Sequence, residues 1–168
     1  AFDNAAFCNG NGACFDFEAS NVMCPSFKAT GDRVQSPKGR ASLMREWLRL
    51  LSLEGFDPRQ RQGASFVVRL WNTVNPANRD DFSHEVRAAL DTCLGCKACV
   101  GQCPIKVSVP EFRAKFLGHY YGRYLHPLKD VLVGNIEWTL PMLQRLRPLY
   151  QVAARTRPGR AALQRVGL

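Results

Sequence analysis

A chain of 168 residues, 46% hydrophobic and 22% charged, is long enough to bury one proper core and falls within the usual size of one domain, about 100–200 residues. It has no run of about 18 apolar residues and no basic stretch leading into an apolar one at its start, so neither a membrane helix nor a secretory signal is expected. The formal charge of +9 is uneven: no acid follows Glu137, while Arg145, Arg147, Arg155, Arg157, Arg160 and Arg165 add six positive charges. Such a bias suits nucleic acid, anionic lipid, an acidic protein face or simply a solvated helix.

The chain opens Ala1-Phe2-Asp3 without an initiator Met, which reads as a piece of a longer polypeptide or a processed chain. Its seven cysteines fall in two groups, residues 8 to 24 and 93 to 103, around a cysteine-free middle. An odd count and two-residue spacings favour metal over disulfides in an intracellular setting. The expected location is cytoplasmic, or peripheral at the inner membrane surface.

The first group contains Cys8-Asn-Gly-Asn-Gly-Ala-Cys14, with Asn11 where a third cysteine would complete an evenly spaced run. Gly10 and Gly12 predict a tight loop with positive φ angles and amides free to donate to sulfide. A plain turn without metal is the competing reading. A phosphate cradle is weaker, because no Lys-Ser/Thr follows.

Ser36-Pro37 predicts a helix start, with Ser as cap and Pro at the first helical position. Leu43, Trp47, Leu50 and Leu51 keep helical spacing until Gly55. Residues 56–64 read as loop, and residues 65–74 (SFVVRLWNTV) fit either a short helix or a strand. From Asp81 or Ser83, Val86, Ala89 and Leu90 lead helically into the second cysteine group. Ser108-Val-Pro-Glu111 fits a capping box for a helix burying Phe112, Phe116, Leu117, Tyr120 and Tyr121. Further helix is expected from Ile136 to Leu146 and from Tyr150 onward, with breaks at Pro141 and Pro148. No strand alternation recurs, so the fold class expected is mostly α.

Residues 93–104 read C-x2-C-x2-C-x3-C-P, the iron–sulfur run of bacterial ferredoxins. Three thiolates spaced by two residues can curl around three corners of one cubane, with Gly95 and Ala98 leaving room for amides to point at sulfur. Pro104 holds Cys103 extended and directs it to a different cluster. Cys93, Cys96 and Cys99 then need a fourth thiolate, and Cys24-Pro25 is the only other Cys-Pro in the chain. By the same exchange, Cys8 and Cys14 receive Cys103. Asn11 sits at the vacant position, and a neutral amide is a poor iron ligand beside thiolates. This second site should therefore hold a [3Fe-4S] cluster or a labile [4Fe-4S] cluster with an oxygen ligand, for which Asp16, Glu18 or solvent are candidates. Paired C-x2-C units also bind structural zinc, and a single occupied cluster remains an alternative. His84, His119 and His126 read as surface or packing residues.

The C-x5-C of Cys8 and Cys14 beside a distant C-x2-C-x2-C-x3-C-P resembles the helical ferredoxin domain of succinate dehydrogenase and fumarate reductase iron–sulfur subunits, where C-x5-C marks a three-iron site. The motif order is reversed here, and nine residues, where that family has three, separate Cys14 from Cys24. The stretches CNGNGAC, MCPSFKAT, SPKGRA, CLGCKACVGQCPIKV and VPEFRAKF resemble more closely the C-terminal part of large FAD-linked oxidases of the bacterial D-2-hydroxyglutarate dehydrogenase type, and more distantly the glycolate oxidase iron–sulfur subunit. The resemblance spans residues 8–116.

It implies an α-helical ferredoxin with two Cys-rich cluster-binding loops over residues 1–125, and the Arg-rich remainder, 126–168, reads as a basic helical extension docking to the rest of a longer parent. It further implies that an FAD-binding part of that parent oxidises a D-2-hydroxy acid such as D-2-hydroxyglutarate, D-lactate or glycolate, and that this chain relays the electrons to a quinone or electron carrier. No motif here reads as an FAD site, and no catalytic acid or base is required. The SPKGR segment, Ser36 to Arg40, reads equally as a helix start with two exposed cations. The rival functions are a nucleic-acid-binding protein with a structural cluster, its Arg-rich tail tracking phosphates, and a zinc-stabilised interaction module.

Overall fold

Helices account for all the regular structure among the described residues, which in this computed structural model are 2–55, 63–145, 147, 148, 151, 155, 156 and 159–161. The chain separates into two units, residues 1–124 and 125–168. The first holds α1 (Asp3–Ala6), α2 (Pro25–Thr30), α3 (Pro37–Leu53), α4 (Phe66–Val74), α5 (Ser83–Asp91), α6 (Ala98–Gln102) and α7 (Val109–Arg123), with short 3-10 turns at Ala13–Phe15, Arg33–Gln35 and Pro76–Asn78.

The central element is α3, which packs against α1, α5 and α7. Ser36 caps it, its hydroxyl accepting the Gly39 N–H at 3.0 Å, and Pro37 occupies the first turn as the sequence predicts. Its buried stripe is Pro37, Ala41, Met44, Trp47 and Leu51, a helical repeat shifted off the expected Leu43 and Leu50, which are half-buried at its edge. The shift follows from the partners: Phe2 of the N-terminal turn meets Trp47 edge-on at 5.7 Å, and Phe116 of α7 does so at 5.0 Å. Val86 and Leu90 of α5 and Phe112, Phe116 and Tyr120 of α7 complete the core. Leu117 and Tyr121 lie half-buried at its margin.

Ser108 stands at the N-cap of α7, but its side chain makes no capping bond, so the capping box does not form. Pro110 has no N–H to offer, and the Glu111 carboxylate is taken by Lys115 at 2.6 Å one turn on.

Residues 66–74 form helix, and their polarity is inverted. None of α4 is buried; its polar Arg69 and Asn72 reach back to the carbonyls of Tyr121 and Arg123 at 3.1 Å each, while Phe66, Val67, Trp71 and Val74 face solvent. Of the expected loop at 56–64, residues 56–62 lie outside the described ones.

At the far end of the core, Asp81 accepts the Tyr124 hydroxyl at 2.5 Å and the Ser83 N–H at 2.9 Å, with Arg123 3.5 Å away. Burial pushes this carboxyl up, but those partners more than offset it, and it is held below the ordinary aspartate range. A depressed carboxylate stabilises the fold above its unfolded value and ceases to do so as pH falls through the folded one. Asp81→Asn is therefore expected to lower the urea midpoint at neutral pH, the gap from wild type closing as pH drops below the aspartate range. A gap constant with pH would contradict the assignment.

In the second unit, α8 (Leu128–Gly134) packs on α9 (Ile136–Arg145). Pro141 lies inside α9 and does not interrupt it as expected; a proline there removes one N–H but helical bonds on either side can carry the chain through. Leu146 and the start of the helix expected at Tyr150 lie outside the described residues. Among the described residues no helix is long and apolar enough to cross a membrane.

Candidate metal centres

Cys93, Cys96 and Cys99 line one cavity because the loop between them turns sharply twice, at Gly95 (φ 67°) and Lys97 (φ 61°). Glycine takes the first turn without cost, whereas the second falls on a residue with a Cβ. Cys99 enters α6 and is buried. Burial pushes its thiol up, the Val109 N–H at the first turn of α7 opposes this, and the neighbouring Cys93, Cys96 and Cys24 push it up again. Four thiols that repel one another as anions are a donor set that a cationic iron–sulfur core would relieve.

The fourth thiol in this cavity is Cys24. It sits at the N-cap of α2 with φ 51° and ψ 78°, a left-handed conformation made less favourable by the following Pro25. Its sulfur is fixed from two sides, donating to the Gln35 carbonyl at 3.3 Å and accepting Arg40 Nη1 at 3.6 Å. The two Cys-Pro units thus differ in backbone, since Cys103 is extended at φ −78° and ψ 126°, as its sequence predicts.

A second cavity is lined by Cys8, Cys14 and Cys103, together with Asn11 and Lys38. Gly10 and Gly12 have φ 75° and 84°, the positive values expected of the loop. Asn11 closes it: its N–H donates to Asn9 Oδ1 at 3.1 Å, and its own Oδ1 accepts the Ala13 N–H at 3.2 Å. Its carboxamide oxygen is therefore engaged locally, two residues on, in a side-chain turn just before Ala13–Phe15. Burial pushes the Cys14 thiol up, against the Lys38 N–H in the first turn of α3. A long helix thus directs an N-terminal amide at one thiol of each group, α7 at Cys99 and α3 at Cys14.

The two cavities match in size, about 310 and 320 Å³ with open solvent included. Pro37 lines both. All seven thiols are free, and among the described residues no group of three or more His, Cys, Asp or Glu side chains is arranged to hold a metal ion.

Some expectations fail here. Asp16 accepts the Glu18 N–H at 2.8 Å and Asn21 Nδ2 at 2.9 Å, and neither Asp16 nor Glu18 lines the second cavity, because the loop's own amides occupy the carboxylate. The two exposed cations of SPKGR are also corrected. Arg40 is 2% exposed and Lys38 half-buried, since α3 enters the core at its first turn. Arg40 shares the buried face of Met44, Trp47 and Leu51, but its charge hides it from a hydrophobic pattern. His84 bonds Tyr120 Oη and the Asn78 carbonyl, and His119 packs beside Phe2 and Trp47; neither lines a cysteine cavity.

Residues 4–107 match the model of the 4Fe-4S dicluster domain. Among curated proteins, the chain is 51% identical over 152 residues to D-2-hydroxyglutarate dehydrogenase of Haemophilus influenzae, covering 86% of this chain and 15% of that protein. It is 50% identical over 156 residues to the Pseudomonas putida enzyme, 89% of this chain and 16% of that one. The Escherichia coli enzyme is 51% identical over 148 residues, 82% and 14%. The chain therefore spans about a sixth or less of the length of these relatives. No solved structure matches it. Two cysteine-lined cavities and a family match over most of the chain lead to one conclusion: the chain belongs to the 4Fe-4S dicluster domain family.

Proposed function

We propose that this chain is the electron-transfer module of a longer FAD-linked oxidoreductase. Cys93, Cys96, Cys99 and Cys24 bind a [4Fe-4S] cluster, and Cys8, Cys14 and Cys103 bind a second, three-iron one. The observation that carries the reading is the grouping of all seven cysteines around two cavities, with each Cys-Pro cysteine lining the cavity of the other motif. Bound clusters supply one-electron transfer, so no side chain has to move a proton. The protein's part is to bind through thiolates, to donate from the Lys38 and Val109 amides, and to wall the sites with Pro37.

The electrons come, in this reading, from oxidation of a D-2-hydroxy acid at FAD elsewhere in the parent, and leave to a quinone or electron carrier. Support lies in the names of the relatives, all dehydrogenases of D-2-hydroxyglutarate, and in the outward apolar face of α4, a surface suited to packing against the rest of such a parent. The basic tail, 126–168, serves the same docking, and nucleic acid has no place in this reading. The test is freeze-quench electron paramagnetic resonance of the intact parent after anaerobic addition of D-2-hydroxyglutarate. Reduced-cluster signals should follow flavin reduction; a reduced flavin beside clusters that stay oxidised would overturn the relay.

The second site has its own test. Asn11 lines the second cavity, and in this reading it occupies the position a fourth thiolate would take. Asn11→Cys is expected to convert an oxidised three-iron signal into a second cubane signal on reduction, with about one more iron per chain. An unchanged spectrum and iron content would contradict the three-ligand assignment.

A further inference from the structure

Arg40 is among the most deeply buried large side chains of the protein, 2% exposed. Each nitrogen of its guanidinium makes one bond: Nε donates to the Ala89 carbonyl at 2.8 Å, Nη2 to Thr92 Oγ1 at 2.8 Å and Nη1 to Cys24 Sγ at 3.6 Å. Among the described residues no carboxylate pairs with it. Arginine stays protonated in proteins, and a buried charge without a countercharge is expensive. The one group in contact with Arg40 that becomes anionic in the reading above is the Cys24 thiolate, in the cavity that Arg40 itself lines.

We propose that Arg40 is a positioning and charge-compensating residue for the Cys24 cluster: its guanidinium, aimed by Ala89 and Thr92, donates to Cys24 Sγ and raises the reduction potential of that site. The inference rests on the ligand assignment under Proposed function. Reduction adds one negative charge to the site, and a fixed cation stabilises the more negative state, the more strongly where water is excluded. Among the described residues the second cavity has no equivalent. Lys38 lines it half-buried, its Nζ 3.4 Å from the Gly10 carbonyl and 5.4 Å from the Phe15 ring centroid, with no bond to a thiol. One helix start therefore gives the first site a buried, directed cation and the second a partly solvated one.

The experiment is a potentiometric titration of the anaerobically purified intact parent, followed by electron paramagnetic resonance. Iron and labile sulfide are measured alongside, and the Cys24 signal is identified by its loss in Cys24→Ala. If Cys24→Ala removes no signal, the ligand assignment fails, whatever Arg40 does. If it does remove one, Arg40→Gln should make reduction of that site at least about tenfold less favourable, about 59 mV for one electron. Arg40→Lys, which keeps the charge but not the directed donor, should shift it less. Thr92→Val should shift it in the same direction with iron content intact. Lys97→Gln, which removes an exposed cation lining the same cavity, should shift it least. The proposal is overturned if the Arg40 variants that load iron titrate at the wild-type potential, or shift no more than Lys97→Gln. If Arg40→Gln loads no iron, unshifted potentials in both Arg40→Lys and Thr92→Val overturn it equally.

Discussion

Cys24→Ala in the intact parent is expected to remove about half of the bound iron and the cubane signal of the Cys93 motif, while the signal of the Cys8 and Cys14 site persists. The prediction separates ligand exchange from the simpler arrangement in which all four cysteines of residues 93–103 serve one cluster. In that arrangement Cys103→Ala would destroy the cubane and Cys24→Ala would spare it. The structure favours exchange through backbone as well as position. Cys24 occupies a left-handed conformation before a proline, which costs on the order of 1–3 kcal/mol and persists only where its surroundings demand it. Those surroundings are Arg40, which donates to the sulfur, and the Gln35 carbonyl, which accepts from it while the thiol keeps its proton. Alanine would forfeit both contacts and leave the Arg40 guanidinium facing a cavity without an acceptor, so some loss of stability should accompany the loss of iron.

Gly39→Ala is expected to damage both centres at once, although Gly39 lines neither. A Cβ there would stand 2.2 Å from the Arg33 carbonyl oxygen and 2.7 Å from Val34 Cα and O, all backbone atoms that no side-chain rotation can clear. Either the turn at Arg33–Gln35 or the first turn of α3 must shift. Overpacking of this kind costs about 1–3 kcal/mol, and a shift of α3 moves Pro37, the wall common to both cavities, along with Arg40 and the Lys38 amide. The expected result is a lower urea midpoint, with less iron and sulfide per chain. Gly118→Ala is the control. It lies within α7 with nothing within 4 Å of its Cβ position, and alanine should be neutral or stabilising by up to about 1 kcal/mol. Equal effects at the two glycines would contradict the close-approach explanation.

The grouping of the cysteines was legible in the sequence because it is written in local spacing. C-x2-C-x2-C-x3-C-P, the paired Cys-Pro units and the two glycines around Asn11 each constrain a few adjacent residues, and the structure draws those residues into two cavities. The helices were legible for a similar reason, as the repeat of Val86, Ala89 and Leu90 or of Phe112, Phe116 and Tyr120 is a local pattern.

What escaped depends on partners far along the chain. Arg40 in SPKGR looks like any solvated cation until Ala89 and Thr92, brought alongside by α5, supply its acceptors. The left-handed Cys24 follows from Gln35 and Arg40 rather than from its neighbours, one of which is a proline that disfavours it. The polarity of α4 could not be oriented from its pattern, because an apolar stripe is ordinarily a buried one and here Arg69 and Asn72 make the inward contacts. Asp16 looked available as an oxygen ligand until the Glu18 amide and Asn21 were seen to occupy its carboxylate.

The most direct measurement of the central claim is electron paramagnetic resonance of the anaerobically purified intact parent, as isolated and after dithionite, in wild type, Cys24→Ala and Cys103→Ala. Two exchanged clusters predict two distinct iron–sulfur signals in the wild type, the cubane signal absent from Cys24→Ala alone and the three-iron signal absent from Cys103→Ala alone. A single signal in the wild type, or loss of the cubane in Cys103→Ala with its survival in Cys24→Ala, would contradict the account.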